Sequence, residues 1–213
     1  MEILVTGDAQ RWEELSAGRD LSGHTVRWEH DLQPQPSPAD LVIDLSLDEH
    51  PENLMLYTMK PEVPVLACLV KTSPDIWAQY PHIYGCNLLP GFISMPRLEV
   101  ACAEGNTRQL AGLMEQLGWA YEVIRPATGM VTPRVVCMII NEAYFTADEG
   151  TASRSDIDTS MKLGTNYPAG PFEWCEKIGI RHVYEVLQAV YRETGNPRYQ
   201  VSPLLQAAYE AQL

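Results

Sequence analysis

Gly7, Ala9 and Trp12 stand at the three positions where a chain that binds a dinucleotide on a strand, turn and helix carries glycines, in the spacing G-x-G-x-x-G. Only the first glycine is kept. In such a turn the second glycine lets the backbone approach the pyrophosphate and the third lets the helix pack on the strand. Alanine narrows that approach, and tryptophan fills the space. Asp8 adds a negative charge where a phosphate would rest at the helix N-terminus. Glu29 follows about twenty residues after Gly7, where a ribose-binding acid belongs; it reads either as that acid or as a solvated glutamate at a strand end. Gly7 and Glu29 are therefore the candidate cofactor contacts. The five cysteines, Cys68, Cys86, Cys102, Cys137 and Cys175, lie far apart without a CxxC pair, and four of them sit in apolar runs. They read as small core residues of a reducing compartment, and no metal is expected.

The elements that must position these residues follow from hydrophobic pattern and punctuation. Glu2 to Val5 and Thr25 to Trp28 read as strands, with a helix from Arg11 to Ala17 between them that stops at Gly18. Ala39 to Asp44 is a buried-type strand, Glu49 to Met59 a modest amphipathic helix, and Val63 to Val70 a central strand covered on both faces. A proline-rich loop runs from Gln33 to Ser37. Thr107 to Leu117 is a helix closed by Gly118, and Tyr121 to Ile124 is a last strand before a domain boundary at Arg125-Pro126. From there the pattern is helical. Val135 to Glu149 is apolar on nearly all sides through Ile140, as a central helix should be, and Gly150 closes it. Its polar residues Asn141 and Glu142 are expected to bond adjacent backbone. Ser153 with Asp156 opens a helix that Gly164 stops, Gly170-Pro171 opens another that ends at Gly179, and Arg181 to Thr194 makes one more, ending at Gly195. Trp174, Tyr184, Tyr191 and Tyr199 read as packing residues of this helical domain or of a subunit interface.

The C-terminal stretch also carries a resemblance. Asn141-Glu142-Ala143, Asp156-Ile157-Asp158, Met161-Lys162-Leu163-Gly164, Tyr167-Pro168, Gly170-Pro171-Phe172-Glu173 and Ile178-Gly179 resemble the C-terminal domain of the 3-hydroxyacyl-CoA dehydrogenases. The resemblance implies an α/β fold in which a reduced Rossmann-like parallel sheet domain, residues 1–125, precedes an all-α dimerisation domain, residues 126–213. It implies NAD as cofactor, acyl-CoA as ligand, and a homodimer built through the helices. In the same register Lys71-Thr72-Ser73 is similar to the family's N-T-S turn, so Ser73 is either a substrate-contacting hydroxyl or the N-cap of a helix starting at Pro74. Gly85 to Val100 (GCNLLPGFISMPRLEV) aligns with the family's catalytic segment and keeps Gly85, Met95, Glu99 and Val100. The family's histidine, which takes the proton of the 3-hydroxyl, is replaced by Asn87. An amide does not titrate near neutral pH; it can orient a carbonyl and cannot act as general base. Pro90 and Pro133 replace two family asparagines, whereas Gly129 and Arg134 remain. None of His24, His30, His50, His82 and His182 matches the catalytic position. Glu99 is either a base raised by burial or a leftover carboxylate bonded to Asn87.

Composition bounds the partners. At 213 residues and 46% apolar content the chain can bury a core, and a formal charge of −13 argues against nucleic acid and anionic membrane surfaces. No apolar run approaches a membrane span and no basic leader precedes one, so the expected compartment is the cytoplasm. Two functional readings result. One is a non-catalytic or weakly active dimer that keeps the fold and binds acyl-CoA or assembles with partners; the other is an NAD-dependent 3-hydroxyacyl-CoA dehydrogenase that uses Glu99 and Ser73 with a substitute base.

Overall fold

The computed structural model describes residues 1–33 and 38–212, so the expected loop lies, apart from Gln33, outside the described residues. The chain forms two compact units, Met1–Met130 and Val131–Leu213. Residues 126–130 belong with the first unit. Gly129 donates its N–H to the Val70 carbonyl at 2.6 Å, tying that segment to the sheet.

The first unit runs β1 (Glu2–Thr6), α1 (Ala9–Gly18), β2 (Thr25–Glu29), β3 (Leu41–Asp44), α2 (Leu54–Thr58), β4 (Val65–Cys68), α3 (Ile76–Gln79), β5 (Ile83–Cys86), β6 (Leu98–Ala101), α4 (Thr107–Leu117) and β7 (Tyr121–Val123). Among the described residues its seven strands lie in the order β2-β1-β3-β4-β5-β6-β7. The pairs from β2 to β5 are parallel, β5 and β6 are antiparallel, and β6 and β7 are parallel. β3, β4 and β5 are buried at every position, as strands covered on both faces must be. In a full doubly wound sheet of order 3-2-1-4-5-6 another strand flanks the second. Among the described residues none flanks β2, which is an exposed edge with Trp28 37% accessible. The sheet is thus Rossmann-like and reduced on one side.

Two expectations change here. The helix read from Glu49 to Met59 is a 3-10 turn, Pro51–Asn53, leading into the short α2, because Pro51 and the turn Glu49 to Ser46 prevent an earlier start. The helix after Ser73 starts at Ile76 with Asp75 at the N-cap position, so Ser73 does not cap it; its carbonyl instead accepts the Ile76 N–H at 3.4 Å.

The second unit is α-helical: α5 (Thr132–Asp148), α6 (Arg154–Thr165), α7 (Pro171–Ile178), α8 (Ile180–Thr194) and α9 (Pro203–Glu210). α5 is central and buries Val136, Cys137, Ile140, Ala143 and Tyr144 against the other helices. Ser153 caps α6 by accepting the Asp156 N–H at 3.2 Å. The helix passes through Gly164 to Thr165 and is stopped by Asn166, whose φ of 56° is the left-handed cap a short polar side chain tolerates. Asn141 bonds neighbouring backbone, as a buried polar group must. It spans to the segment before α9, donating to the Gln200 carbonyl and accepting the Ser202 N–H, both at 2.8 Å. Tyr167 packs on Trp174 and Tyr184 stacks on Tyr209 at centroid distances of 5.2 and 4.1 Å.

Candidate functional site

Gly7, Glu29, Ser73 and Asn87 all follow, or end, strands of the parallel set, which places them along the carboxyl edge of the sheet, where open α/β sheets bind ligands. Asn87 comes directly after β5, and the β5–β6 register of Gly85 with Ala101 and Cys86 with Val100 brings it opposite Glu99. The Asn87 N–H donates to the Glu99 carbonyl at 3.1 Å. Residues directly opposite in an antiparallel pair project their side chains to the same face. The amide and the carboxylate are therefore neighbours, as the sequence register requires, and the bond that joins them is main chain to main chain. Asn87 is 3% exposed, and its Oδ1 is a buried acceptor without a hydrogen-bond partner among the described residues. Glu99 is half-buried, and Ser73 is exposed on the loop after β4.

Three histidines of the first unit are engaged elsewhere. His82 precedes β5 at the opposite, amino edge of the sheet, where its Nε2 lies 3.2 Å from the Tyr57 carbonyl and burial lowers its pKa. His24 Nδ1 is 3.5 Å from the Met1 amino group, and His50 pairs with the exposed Glu52. The cysteines offer no ready nucleophile. Burial pushes the Cys68 thiol up to about 12 and the Cys175 thiol to about 11, and it raises Cys86 and Cys137 as well.

A second cluster lies at the ends of β1 and β3, where the strand order turns back on itself and a dinucleotide's pyrophosphate would sit over the α1 N-terminus. Two of its backbone donors are already engaged. The Gly7 N–H is shared by the Glu29 and His30 carbonyls at 3.2 Å, and Asp8 caps α1 by accepting the Arg11 N–H at 3.0 Å. Gly7 has φ 130°, and a Cβ there would lie 2.8 Å from Leu45 Cβ, so both backbone conformation and packing require glycine without any ligand. Trp28 Nε1 donates to the Gly7 carbonyl at 3.0 Å, and its ring is parallel to Trp12 at 6.3 Å. Glu29 ends β2, with its Oε2 buried and lacking a hydrogen-bond partner among the described residues.

Arg11 is the residue that sequence pattern missed. Its side chain is 2% exposed; Nη1 donates to the Leu45 carbonyl and Nη2 to the Glu49 carboxylate. Nε lies 3.2 Å from Asp8 Oδ2, close enough for an ion pair though not aligned as a hydrogen bond. Lys71 Nζ approaches the same Glu49 oxygen at 4.0 Å. Beside them the half-buried Asp48 accepts the Lys71 N–H at 2.9 Å and the Thr72 hydroxyl at 2.5 Å; desolvation raises its pKa. Only the arginine just before the third fingerprint position hints at this cluster in the sequence.

In the helical unit the residues that carry the resemblance are structural. Gly170 caps α7 with its N–H on Glu173 Oε2 at 2.9 Å, and a Cβ there would fall onto the Asp158 carboxylate. Asp158 accepts the Phe172 N–H at 2.8 Å, and Lys162 pairs with Glu173, so α6 and α7 are clasped by Asp158, Lys162, Gly170 and Glu173. Arg154 lies 5.3 Å from the rings of both Tyr144 and Phe172.

Among the described residues no cluster of histidine, cysteine and carboxylate is arranged to hold a metal ion, and no helix is long and apolar enough to cross a membrane. Comparison with known proteins places the second unit. Residues 129–213 match the model of the 3-hydroxyacyl-CoA dehydrogenase C-terminal domain. The chain is 38% identical to 3-hydroxyadipyl-CoA dehydrogenase of Escherichia coli K12 over 99 residues, which is 46% of this chain and 21% of that protein. It spans between 21% and 39% of the length of the first three curated relatives it matches. Among solved structures, FadB2 of M. tuberculosis superimposes with a TM-score of 0.78 at 16% identity, over 99% of this chain and 93% of that one. The (S)-3-hydroxybutyryl-CoA dehydrogenase PaaH1 of Ralstonia eutropha gives 0.75 at 19% identity, over 99% and 94%. At those identities the likeness establishes the fold, a Rossmann-like sheet with a helical domain, while the sequence match establishes descent. Residues 129–213 therefore carry the C-terminal domain of the 3-hydroxyacyl-CoA dehydrogenases.

Proposed function

We propose that the chain is a non-catalytic or weakly active member of this family, a dimeric protein that binds acyl-CoA or assembles with partners. The observation that carries this reading is Asn87 at the end of β5, buried and facing Glu99 across the β5–β6 pair. Oxidation of a 3-hydroxyl needs a group that takes the hydroxyl proton, and an amide has none of the required basicity. Loss of a general base alone costs about 10² to 10⁴ in rate, so weak residual turnover is compatible with this reading.

The same amide suits a binding role. A buried amide can hydrogen-bond the carbonyl of a thioester, with the Ser73 hydroxyl and Glu99 as further polar contacts of the acyl group. A calorimetric titration of acetoacetyl-CoA tests this: binding weakened in Asn87→Leu supports it, and no binding to the wild-type protein overturns the acyl-CoA part.

The alternative is an NAD-dependent 3-hydroxyacyl-CoA dehydrogenase of fatty-acid metabolism with a substitute base. It draws support from Glu99, a half-buried carboxylate that keeps its place beside residue 87. In that reading Gly7 and Glu29 would be the cofactor contacts, and Glu99→Gln would abolish turnover.

A further inference from the structure

The groups at the α1 N-terminus do not fit the diphosphate of a dinucleotide, and they explain what has taken its place. An anion bound there needs free backbone N–H groups and a favourable field. The Gly7 and Arg11 N–H groups are spent on the Glu29 and His30 carbonyls and on Asp8. The anions of the crevice are the protein's own: Asp8 against Arg11 Nε, and Glu49 between Arg11 Nη2 and Lys71 Nζ. Both cations are buried, with side-chain exposures of 2% for Arg11 and 9% for Lys71, and Glu49 itself is only 15% exposed. A buried guanidinium and ammonium require a paired anion, because leaving them uncompensated is strongly destabilising.

We infer that the crevice is a self-liganded anion site in which the Glu49 carboxylate occupies the position of a ligand diphosphate, so the native chain takes up no dinucleotide. The arrangement couples three segments that a bound nucleotide would otherwise hold together. Arg11 comes from the first turn of α1, Glu49 from the loop after β3, and Lys71 from the loop after β4. Removing Glu49 while keeping Arg11 and Lys71 should therefore uncover a cationic site of diphosphate size. The inference is independent of the Asn87 argument, because a chain that bound NADH would still lack the base.

The test is calorimetric titration of inorganic diphosphate, and separately of NADH, into the wild-type protein, Glu49→Ala and the shape-preserving Glu49→Gln, with circular dichroism to establish folding. Thermal shift with diphosphate gives a second readout, and neither depends on activity. Wild type should give no binding heat with either probe. Glu49→Ala should bind diphosphate and gain thermal stability with it, a difference from wild type of roughly ten-fold or more in affinity. If that variant does not fold, the same gain is expected of Glu49→Gln. Binding of NADH or diphosphate by the wild-type protein would overturn the inference. So would a folded Glu49 variant that binds no diphosphate. Catalytic silence of a wild-type protein that binds NADH would refute this inference alone and leave the Asn87 reading in place.

Discussion

The Asn87 N–H donates to the Glu99 carbonyl at 3.1 Å, extending the β5–β6 pairing by one residue and setting an amide beside a carboxylate at the carboxyl edge of the sheet. The amide makes little of its burial, since Oδ1 has no hydrogen-bond partner among the described residues. A buried polar group without a partner costs stability, and an apolar group of similar shape removes that cost. Asn87→Leu is therefore expected to leave stability unchanged or raise it by about 1 kcal/mol, measured by urea denaturation. A loss of stability of that size would show that the amide serves the fold and is not held for a ligand.

The Asn141 side chain joins α5 to the segment that leads into α9, closing the buried Ser202 N–H and the part-buried Gln200 carbonyl at 2.8 Å each. Asn141→Ala leaves the Gln200 carbonyl and the Ser202 N–H unpaired, at about 1 to 3 kcal/mol apiece. The expected result is a total loss of about 3 kcal/mol, with α9 the first element to lose amide-exchange protection. Equal loss of protection across all helices would contradict the assignment.

The sequence made some parts of this fold legible and hid others for definable reasons. Gly118 and Gly195 stop α4 and α8 in left-handed conformations, and Gly170-Pro171 starts α7; each signal is contained in a few adjacent residues. Gly164 misled because a glycine inside a helix is tolerated and Asn166 supplied the cap instead. α9 went unread although Ser202-Pro203 is a start signal of the same kind as Gly170-Pro171. At the candidate site the Asn87 and Glu99 pairing was legible through register with a known segment. The Arg11, Glu49 and Lys71 cluster was not. Its members come from three separate loops and helices, and no local periodicity distinguishes a buried, paired arginine from a solvated one.

Asp44, at the end of β3, is fully buried, and burial raises its carboxyl pKa despite the Tyr57 hydroxyl at 2.6 Å and the Ser46 N–H at 2.9 Å. A raised folded-state pKa means that the native protein holds a proton the unfolded chain has lost. The stabilisation is fully present below the ordinary carboxylate value of about 3.9 and is lost as pH rises through the higher folded value. Urea midpoints measured at increasing pH above about 4 should fall more steeply for wild type than for Asp44→Asn. Parallel curves would show that Asp44 does not titrate differently in the two states.

The helical unit exposes apolar residues along α5, with Val131 53% and Val135 54% accessible, and Leu163 on α6 82% accessible. A cavity of about 390 Å³, lined by Ile139, Ala143, Ile157 and Met161 among others, adds to this apolar surface. Self-association through it predicts a dimer in sedimentation equilibrium and a shift toward monomer in Val135→Glu, which would bury a charge at the interface. A wild-type monomer would contradict the dimer.

Whether the chain carries out hydride transfer is read from consumption of NADH with acetoacetyl-CoA at high protein concentration, with wild type and Asn87→His measured together. No consumption above background is expected of wild type, because Glu49 closes the crevice to the dinucleotide and residue 87 offers no base. None is expected of Asn87→His either, because Glu49 closes the crevice. Consumption by wild type that rises with protein concentration and disappears in Glu99→Gln would contradict this expectation.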